Sequence, residues 1–328
     1  MGELVEGIWQ RSGIDAVLSK GTLQRPPSIF RNWIQSNESG SREARVFKAE
    51  ADRYHLYVSL ACPWAHRTLI MRNLKGLAGI VGLSVVHWHM GEDGWTFDAG
   101  PDVIPDRING AQKLYQLYLR ADPQSTTRVT VPVLWDKKER TIVSNESADI
   151  LRMFNSAFDG LGAKAGDYYP REQRAEIDQI NSRVYANFNN GVYAAGFAGS
   201  QVAYDAAVER VFDTLDWLEQ RLSRQRFLLG DNLTEADIRL FTTLIRFDAV
   251  YFGHFKCNRR PIVSYPSLWR YTKELYGHPD IRPTVNFQHI KAHYYGSHRW
   301  INPSGIVPIG PDLDFDAPSN RSSSEGMH

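Results

Sequence analysis

The residue with the clearest chemistry in this chain is Cys62. It stands directly before Pro63 and Trp64, where the alternating apolar run Tyr54 to Ser59 gives way to a pattern with Ala65 and Leu69 on one side. The run reads as a buried strand and the pattern after it as a helix. Pro63 suits the first helical position, where its missing N–H leaves no bond unmade. Gly76 suits the position just past the helix end. The spacing therefore predicts a thiol at the start of a helix, directly after a strand. Free backbone N–H groups and the helix dipole favour negative charge there, which lowers the pKa of a cysteine and makes it nucleophilic. His66 and Arg67 are candidates to add positive charge. The plain alternative is a buried structural cysteine; the strand–Cys–Pro–helix setting favours the reactive one.

The residue three after Cys62 is Ala65, so there is no CxxC pair. Cys257 is the only other cysteine, and it lies among helical patterns far along the chain. A mixed disulfide on Cys62 would therefore need a thiol from outside to resolve it.

The elements that must position this thiol can be read in order. A second strand is expected over Ile80 to His87. A long Gly-, Asp- and Pro-containing insertion follows over 88–128, with a short helix around Lys113 to Leu119; an insertion of this length marks a functional or disordered segment. Trp95 sits in it, either as an anchor to the core or against a ligand. Val129 to Trp135 (VTVPVLW) reads as a strand containing Pro132, which would delete a ladder bond in a central strand and so marks a special position. A short strand follows at Thr141 to Val143. In SNESADILRMF, Ser144, Asn145 and Ser147 are good caps for a helix with Ile150, Leu151 and Phe154 on its inner face. That helix start, with the Ser147 hydroxyl, could hold a carboxylate, and Glu146 could pair with an ammonium group; a plain capping motif is the alternative.

Residues 155–170 read as a linker. Beyond it, helical periodicity runs through 171–189, 201–224, 234–250 and 265–276. The third of these opens with a Thr234/Asp237 cap and a Leu233/Ile238 hydrophobic staple. The expected organisation is an irregular extension over 1–50 with Trp9, Phe30 and Trp33 packed on the domains, a domain over 51–160, an all-helical domain over 171–300, and an irregular tail over 301–328 that frays.

Composition excludes several classes. A length of 328 residues supports one large or two ordinary domains, and a formal charge of +1 gives no drive toward nucleic acid or membranes. Two cysteines make no disulfide framework and suggest a reducing compartment. No stretch is long and apolar enough to span a bilayer, and MGELVEGIWQ lacks the basic start and apolar core of a secretory signal. A cytoplasmic protein is expected. His87, His89, His289, His293 and His298 raise a metal site as an outside alternative, but no carboxylate or third ligand falls at suitable spacing, so none is expected.

The strand, the CPWAH turn and the helix resemble the active site of a thioredoxin-type domain in the glutathione transferase superfamily. SLACPWAHR, GWTF, RVTVPVLWD, SNES, NNGVY, RFDAVY, HFKC, HYYGSH and INPSG together resemble the glutathionyl-hydroquinone reductases, the xi-class glutathione transferases. The resemblance covers nearly the whole chain. It implies an α/β plus all-α fold: an N-terminal thioredoxin-like domain, with Pro132 cis, followed by the all-helical glutathione transferase C-terminal domain. It implies Cys62 as nucleophile, and Trp95, Arg128, Val131, Glu146 and Ser147 around glutathione. It places Tyr193, Tyr251 and Tyr294 at an aromatic substrate, with Tyr193 and Tyr294 assisting catalysis; Tyr295 competes with Tyr294 for that position. Glutathione would be a co-substrate, with no tightly bound cofactor, and the protein a homodimer. The implied reaction is glutathione-dependent reduction of S-glutathionyl-hydroquinones through a Cys62–glutathione mixed disulfide. An omega-like thioltransferase or dehydroascorbate reductase is the alternative. A non-catalytic binding protein on the same fold would not need Cys62.

Overall fold

The strand Tyr54–Val58 is buried at every position and runs through the middle of the N-terminal half. The computed structural model describes residues 2–11, 18–19, 22–23, 26–36 and 45–316. In chain order the strands are β1 (Gly2–Val5), β2 (Ile8–Arg11), β3 (Leu18–Ser19), β4 (Thr22–Leu23), β5 (Trp33–Gln35), β6 (Val46–Lys48), β7 (Tyr54–Val58), β8 (Val81–Val85), β9 (Thr127–Arg128), β10 (Val133–Asp136) and β11 (Thr141–Ser144). The helices are α1 (Pro63–Leu74), α2 (Tyr115–Ala121), α3 (Ser147–Ser156), α4 (Arg174–Val184), α5 (Gly191–Gly196), α6 (Gln201–Leu222), α7 (Glu235–Arg246), α8 (Pro266–Tyr276) and α9 (Phe287–Ser297).

The main sheet has the order β11-β10-β7-β8, with β7 parallel to β8 and antiparallel to β10. The parallel pair needs a crossover, and α1 supplies it. Helix α1 begins with Pro63 at its first position, behind Cys62 as N-cap in an extended conformation. It ends as expected before Gly76, whose φ of +64° is easily adopted only without a side chain. Helix α1 packs between α3 of its own half and α7 of the helical half. The helix that follows Cys62 is thus held from both sides, and one hydrophobic core runs through both halves.

Several expected elements differ. Residues 1–50, expected to be irregular, hold short strands as well as irregular stretches where described. β1 and β2 form a hairpin, and β1 also pairs with β9, so Glu3 lies opposite Arg128. β5 and β6 pair in parallel. Alternation in such short strands gives too few residues for a period to show. The expected strand over Val129 to Trp135 begins only at Val133, after a cis Val131–Pro132 bond. The 88–128 insertion is ordered by Asp106, whose carboxylate accepts from the backbone N–H groups of Ile108, Asn109 and Ala111 and from the Tyr57 hydroxyl.

In the helical half, the 171–189 and 234–250 patterns do not continue as α-helix to their ends. Both finish in a π-helical turn, Tyr185–Asn189 and Phe247–Tyr251. Helices α5 and α9 were not expected. The inward residues of α9 are His289, Ile290, His293, Tyr294 and Ser297, so its buried face is half polar and shows no apolar stripe. The Thr234 cap holds: the Asp237 carboxylate accepts from the Thr234 N–H and hydroxyl, and also from the Leu228 N–H and the Tyr271 hydroxyl. Residues 302–316 form no helix or strand and wrap back, with Phe315 against Trp269, Tyr276 and Phe287. The fraying expected at the chain end falls on 317–328, outside the described residues.

Candidate active site

Cys62 opens into a cavity of about 490 Å³ between the two halves. Its Sγ lies 3.7 Å from the Val131 carbonyl oxygen, so the cis Val131–Pro132 segment forms the wall facing the thiol. The Val131 N–H has no acceptor among the described residues, which leaves a short backbone edge for a peptide-like ligand. Trp95, Arg128 and Glu146 line the same cavity. Trp95 is buried and stacks on the His293 ring, with centroids 4.8 Å apart.

The start of α3 differs from the open anion site expected from SNES. Glu146 is the N-cap, and its carboxylate accepts from the Ala148 N–H at 3.0 Å and the Ser147 hydroxyl at 3.4 Å. An extended N-cap residue turns its side chain over the first turn, so this chain's own carboxylate fills part of the site. Ser147 is buried behind Glu146 and does not line the cavity; Arg67 Nη1 approaches its hydroxyl at 3.4 Å.

The tyrosines resolve into two layers. Tyr193 and Tyr294 line the cavity, and their hydroxyls are hydrogen-bonded to one another. Tyr251 does not line it. It is fully buried behind Tyr294, hydroxyl to hydroxyl at 2.9 Å. Burial pushes the Tyr251 and Tyr294 phenols well above their ordinary range, so both are protonated donors. Tyr295 does not line the cavity, and its hydroxyl lies 3.5 Å from the Ala249 carbonyl. The Tyr193 ring stands edge-on to Trp64, beside Cys62, with centroids 5.4 Å apart.

Of the two basic residues expected to help the thiol, only one carries charge. His66 is buried and held neutral, pushed well below its ordinary pKa by burial first and then by Arg246. Burial lowers Arg67 to about 9, which still leaves it a cation at neutral pH. Cys257 lies in the helical core with no exposed surface, and burial pushes its thiol up to about 12.

Sequence reading missed part of the lining. Trp9, Pro26, Pro27 and Ser28 of the extension reach the cavity, as do His293 and His298. Three of the histidines considered for a metal are engaged otherwise. His289 Nε2 meets the Pro101 carbonyl at 2.7 Å, His293 Nδ1 meets the Trp88 carbonyl at 2.8 Å, and His298 Nδ1 meets His254 Nε2 at 3.2 Å. Among the described residues no three or more His, Cys, Asp or Glu side chains gather as a metal site. No signal in the local sequence separates these histidines from ordinary core residues; only the placement of α9 does.

A thioredoxin-like sheet with a cysteine at its first helix, joined to a helical half across a shared cavity, defines a glutathione transferase of the cysteine type. The glutathione S-transferase N-terminal domain family matches residues 61–157, and the C-terminal domain family matches 201–274. The chain is 55% identical to the glutathionyl-hydroquinone reductase PcpF of Sphingobium chlorophenolicum, over 95% of this chain and 96% of that protein. It is 55% identical to the glutathionyl-hydroquinone reductase YqjG of Escherichia coli K-12, over 98% of each. The glutathione-bound structure of YqjG superposes with a TM-score of 0.90 at 53% identity, over 98% of this chain and 99% of that one. The xi glutathione transferase of Phanerochaete chrysosporium superposes with a TM-score of 0.84 at 52% identity, over 88% of this chain and 98% of that one. This chain belongs to the xi class of the glutathione transferases, the glutathionyl-hydroquinone reductase family.

Proposed function

We propose that this protein reduces S-glutathionyl-hydroquinones to hydroquinones at the expense of glutathione. The observation that carries this reading is the convergence of the Cys62 thiol and the hydrogen-bonded Tyr193 and Tyr294 hydroxyls on one cavity. The names of the relatives at 55% identity support it. Glutathione lies along the 51–160 side, against Trp95, Arg128 and the Val131 backbone, with its γ-glutamyl end at Glu146, behind which Ser147 supports the carboxylate. The ring lies on the 171–300 side against Tyr193 and Tyr294, with Tyr251 acting through Tyr294. Glutathione is a co-substrate, the protein works as a homodimer, and it is cytoplasmic; among the described residues no helix is long and apolar enough to cross a membrane.

The chemistry balances in two steps. The ring carbon bearing sulfur first gains a proton as one ring hydroxyl loses its own, giving a keto tautomer. The Cys62 thiolate attacks the glutathionyl sulfur; the sulfur–carbon bond breaks, and its electron pair passes to the ring as an enolate stabilised by the tyrosine hydroxyls. The enolate takes up a proton to become hydroquinone, leaving glutathione disulfide-bonded to Cys62. A second glutathione thiolate attacks that disulfide, releasing oxidised glutathione and the Cys62 thiolate. The ring carbon is reduced by two electrons, and two sulfurs, the thioether sulfur of the conjugate and the thiol of the second glutathione, are oxidised by one each to the disulfide.

The test is glutathione-dependent release of menadiol from glutathionyl-menadiol, beside a simple mixed disulfide and the Cys62→Ala protein. Turnover of the quinol conjugate that is lost in Cys62→Ala supports the reading. Turnover of the mixed disulfide alone would replace it with the omega-like thioltransferase.

A further inference from the structure

Arg246, the last residue of α7, is fully buried at the junction of the two halves. Its Nε donates to the Ala61 carbonyl at 2.9 Å and its Nη2 to the Leu60 carbonyl at 3.1 Å. These are the two residues before Cys62. Its Nη1 donates to the Thr242 carbonyl at 2.7 Å and meets His66 Nδ1 at 3.0 Å. A guanidinium only donates, so His66 Nδ1 is the acceptor and the His66 proton sits on Nε2. That N–H donates to the Thr284 hydroxyl at 2.7 Å, which passes its own proton to the Ile281 carbonyl at 2.6 Å. Every partner of Arg246 is therefore neutral, and among the described residues no carboxylate lies within ion-pair distance of it.

A buried guanidinium without a carboxylate is an expensive arrangement. Packing or a turn could be secured more cheaply by an amide. The cation is retained at the one turn that presents the thiol, and its field also reaches Tyr251 and Tyr294, opposing their upward shift. We propose that Arg246 is a positioning residue of the reaction: its fork fixes the Leu60–Cys62 turn from the helical half, and its uncompensated charge stabilises the Cys62 thiolate across that turn. The proposal rests on the reading of Cys62 as the nucleophile. The other charges around the thiol, Arg67, Arg128, Glu146 and the Arg31–Asp149 pair, remain in every variant below.

The experiment is the pH dependence of Cys62 alkylation by iodoacetamide in the full-length protein, with quinol turnover measured on the same samples. Cys257 is too buried to compete. Arg246→Lys keeps the charge and loses the fork; Arg246→Gln loses the charge and keeps donors for the turn. Arg246→Gln is expected to move the alkylation midpoint up by about one pH unit, a tenfold loss of rate below the midpoint. Arg246→Lys is expected to hold the midpoint and lower kcat. A folded Arg246→Gln protein with the wild-type midpoint overturns the proposal. If Arg246→Gln does not fold, Arg246→Lys decides, and a midpoint raised to that of free cysteine overturns it. Absence of quinol turnover in wild type, with the Arg246→Gln shift intact, would instead remove the reading of the substrate and leave the role of Arg246 standing.

Discussion

The Ser28 hydroxyl donates to the Glu146 carboxylate at 3.1 Å, across 118 positions of sequence. The N-terminal extension is thereby part of the cavity wall. Glu146 Oε1 already accepts from the Ala148 N–H and Oε2 from Ser28; in the proposed function that second oxygen meets the ammonium group of glutathione. Ser28→Ala should raise KM for glutathione by roughly threefold to tenfold and leave kcat within about twofold, as expected for loss of one charge-assisted bond that orients a binding group. Steady-state kinetics with glutathione varied checks this; an unchanged KM removes the extension from the site.

Cys62→Ser keeps the size of the side chain and loses the thiolate. Quinol turnover should fall to background. Intact-mass measurement of wild type mixed with substrate and limiting glutathione should show one glutathione adduct per chain, reversed by excess glutathione, and Cys62→Ser should show none. An adduct that persists in Cys62→Ser would place the mixed disulfide on another residue.

Three adjacent tyrosine hydroxyls give a graded series. Tyr294 touches the cavity and links the other two, so Tyr294→Phe should lower kcat by roughly a hundredfold. Tyr251→Phe acts from behind the cavity, through Tyr294 and Tyr193, and should cost less, about tenfold. Tyr295→Phe should be near wild type, because its hydroxyl faces the Ala249 carbonyl. Equal losses in Tyr294→Phe and Tyr295→Phe would contradict this layering.

Stability should fall in mild acid. Burial holds His55, His254 and His293 at about 4, against an ordinary value of 6.5. Below pH 6.5 the unfolded chain takes up protons that the native protein refuses. Stability from these groups is therefore fully present above pH 6.5 and lost as pH falls toward 4. His66 and His298 are displaced in the same direction. Thermal melts should show Tm dropping steadily between pH 6.5 and 4.5, with a dependence of two or more protons. A flat Tm over that range would mean that these histidines are not held neutral.

Asp237 is fully buried and accepts four hydrogen bonds that tie α7 to Leu228 and to Tyr271 of α8. Asp237→Ala leaves those donors unmet and should cost about 3 kcal/mol or more, read by urea denaturation. Because α7 also carries Arg246, turnover of the remaining folded protein should fall as well. A loss under 1 kcal/mol would show that water replaces the carboxylate.

The features legible along the chain were local and periodic. Pro63 and Gly76 bound α1, the apolar run Tyr54 to Val58 marks the central strand, and Thr234 with Asp237 starts α7. Each of these is written in neighbouring residues, since helix ends and buried strands are specified within a few positions. Cys62 stood out from its local setting, whereas the choice of Tyr193 and Tyr294 needed the family motifs as well, because a tyrosine lining a cavity and one packed in a core look alike in a chain. Only the tertiary structure decided the rest. It brought Ser28 to Glu146, put Tyr251 behind Tyr294 and not in the cavity, and placed His293 against Trp95. It set Arg246 under the Cys62 turn from 185 positions away. The physical reason is common to all of them. These contacts join segments remote in sequence, and a side chain's role there follows from what the packing of the two halves lays beside it, which no local pattern encodes.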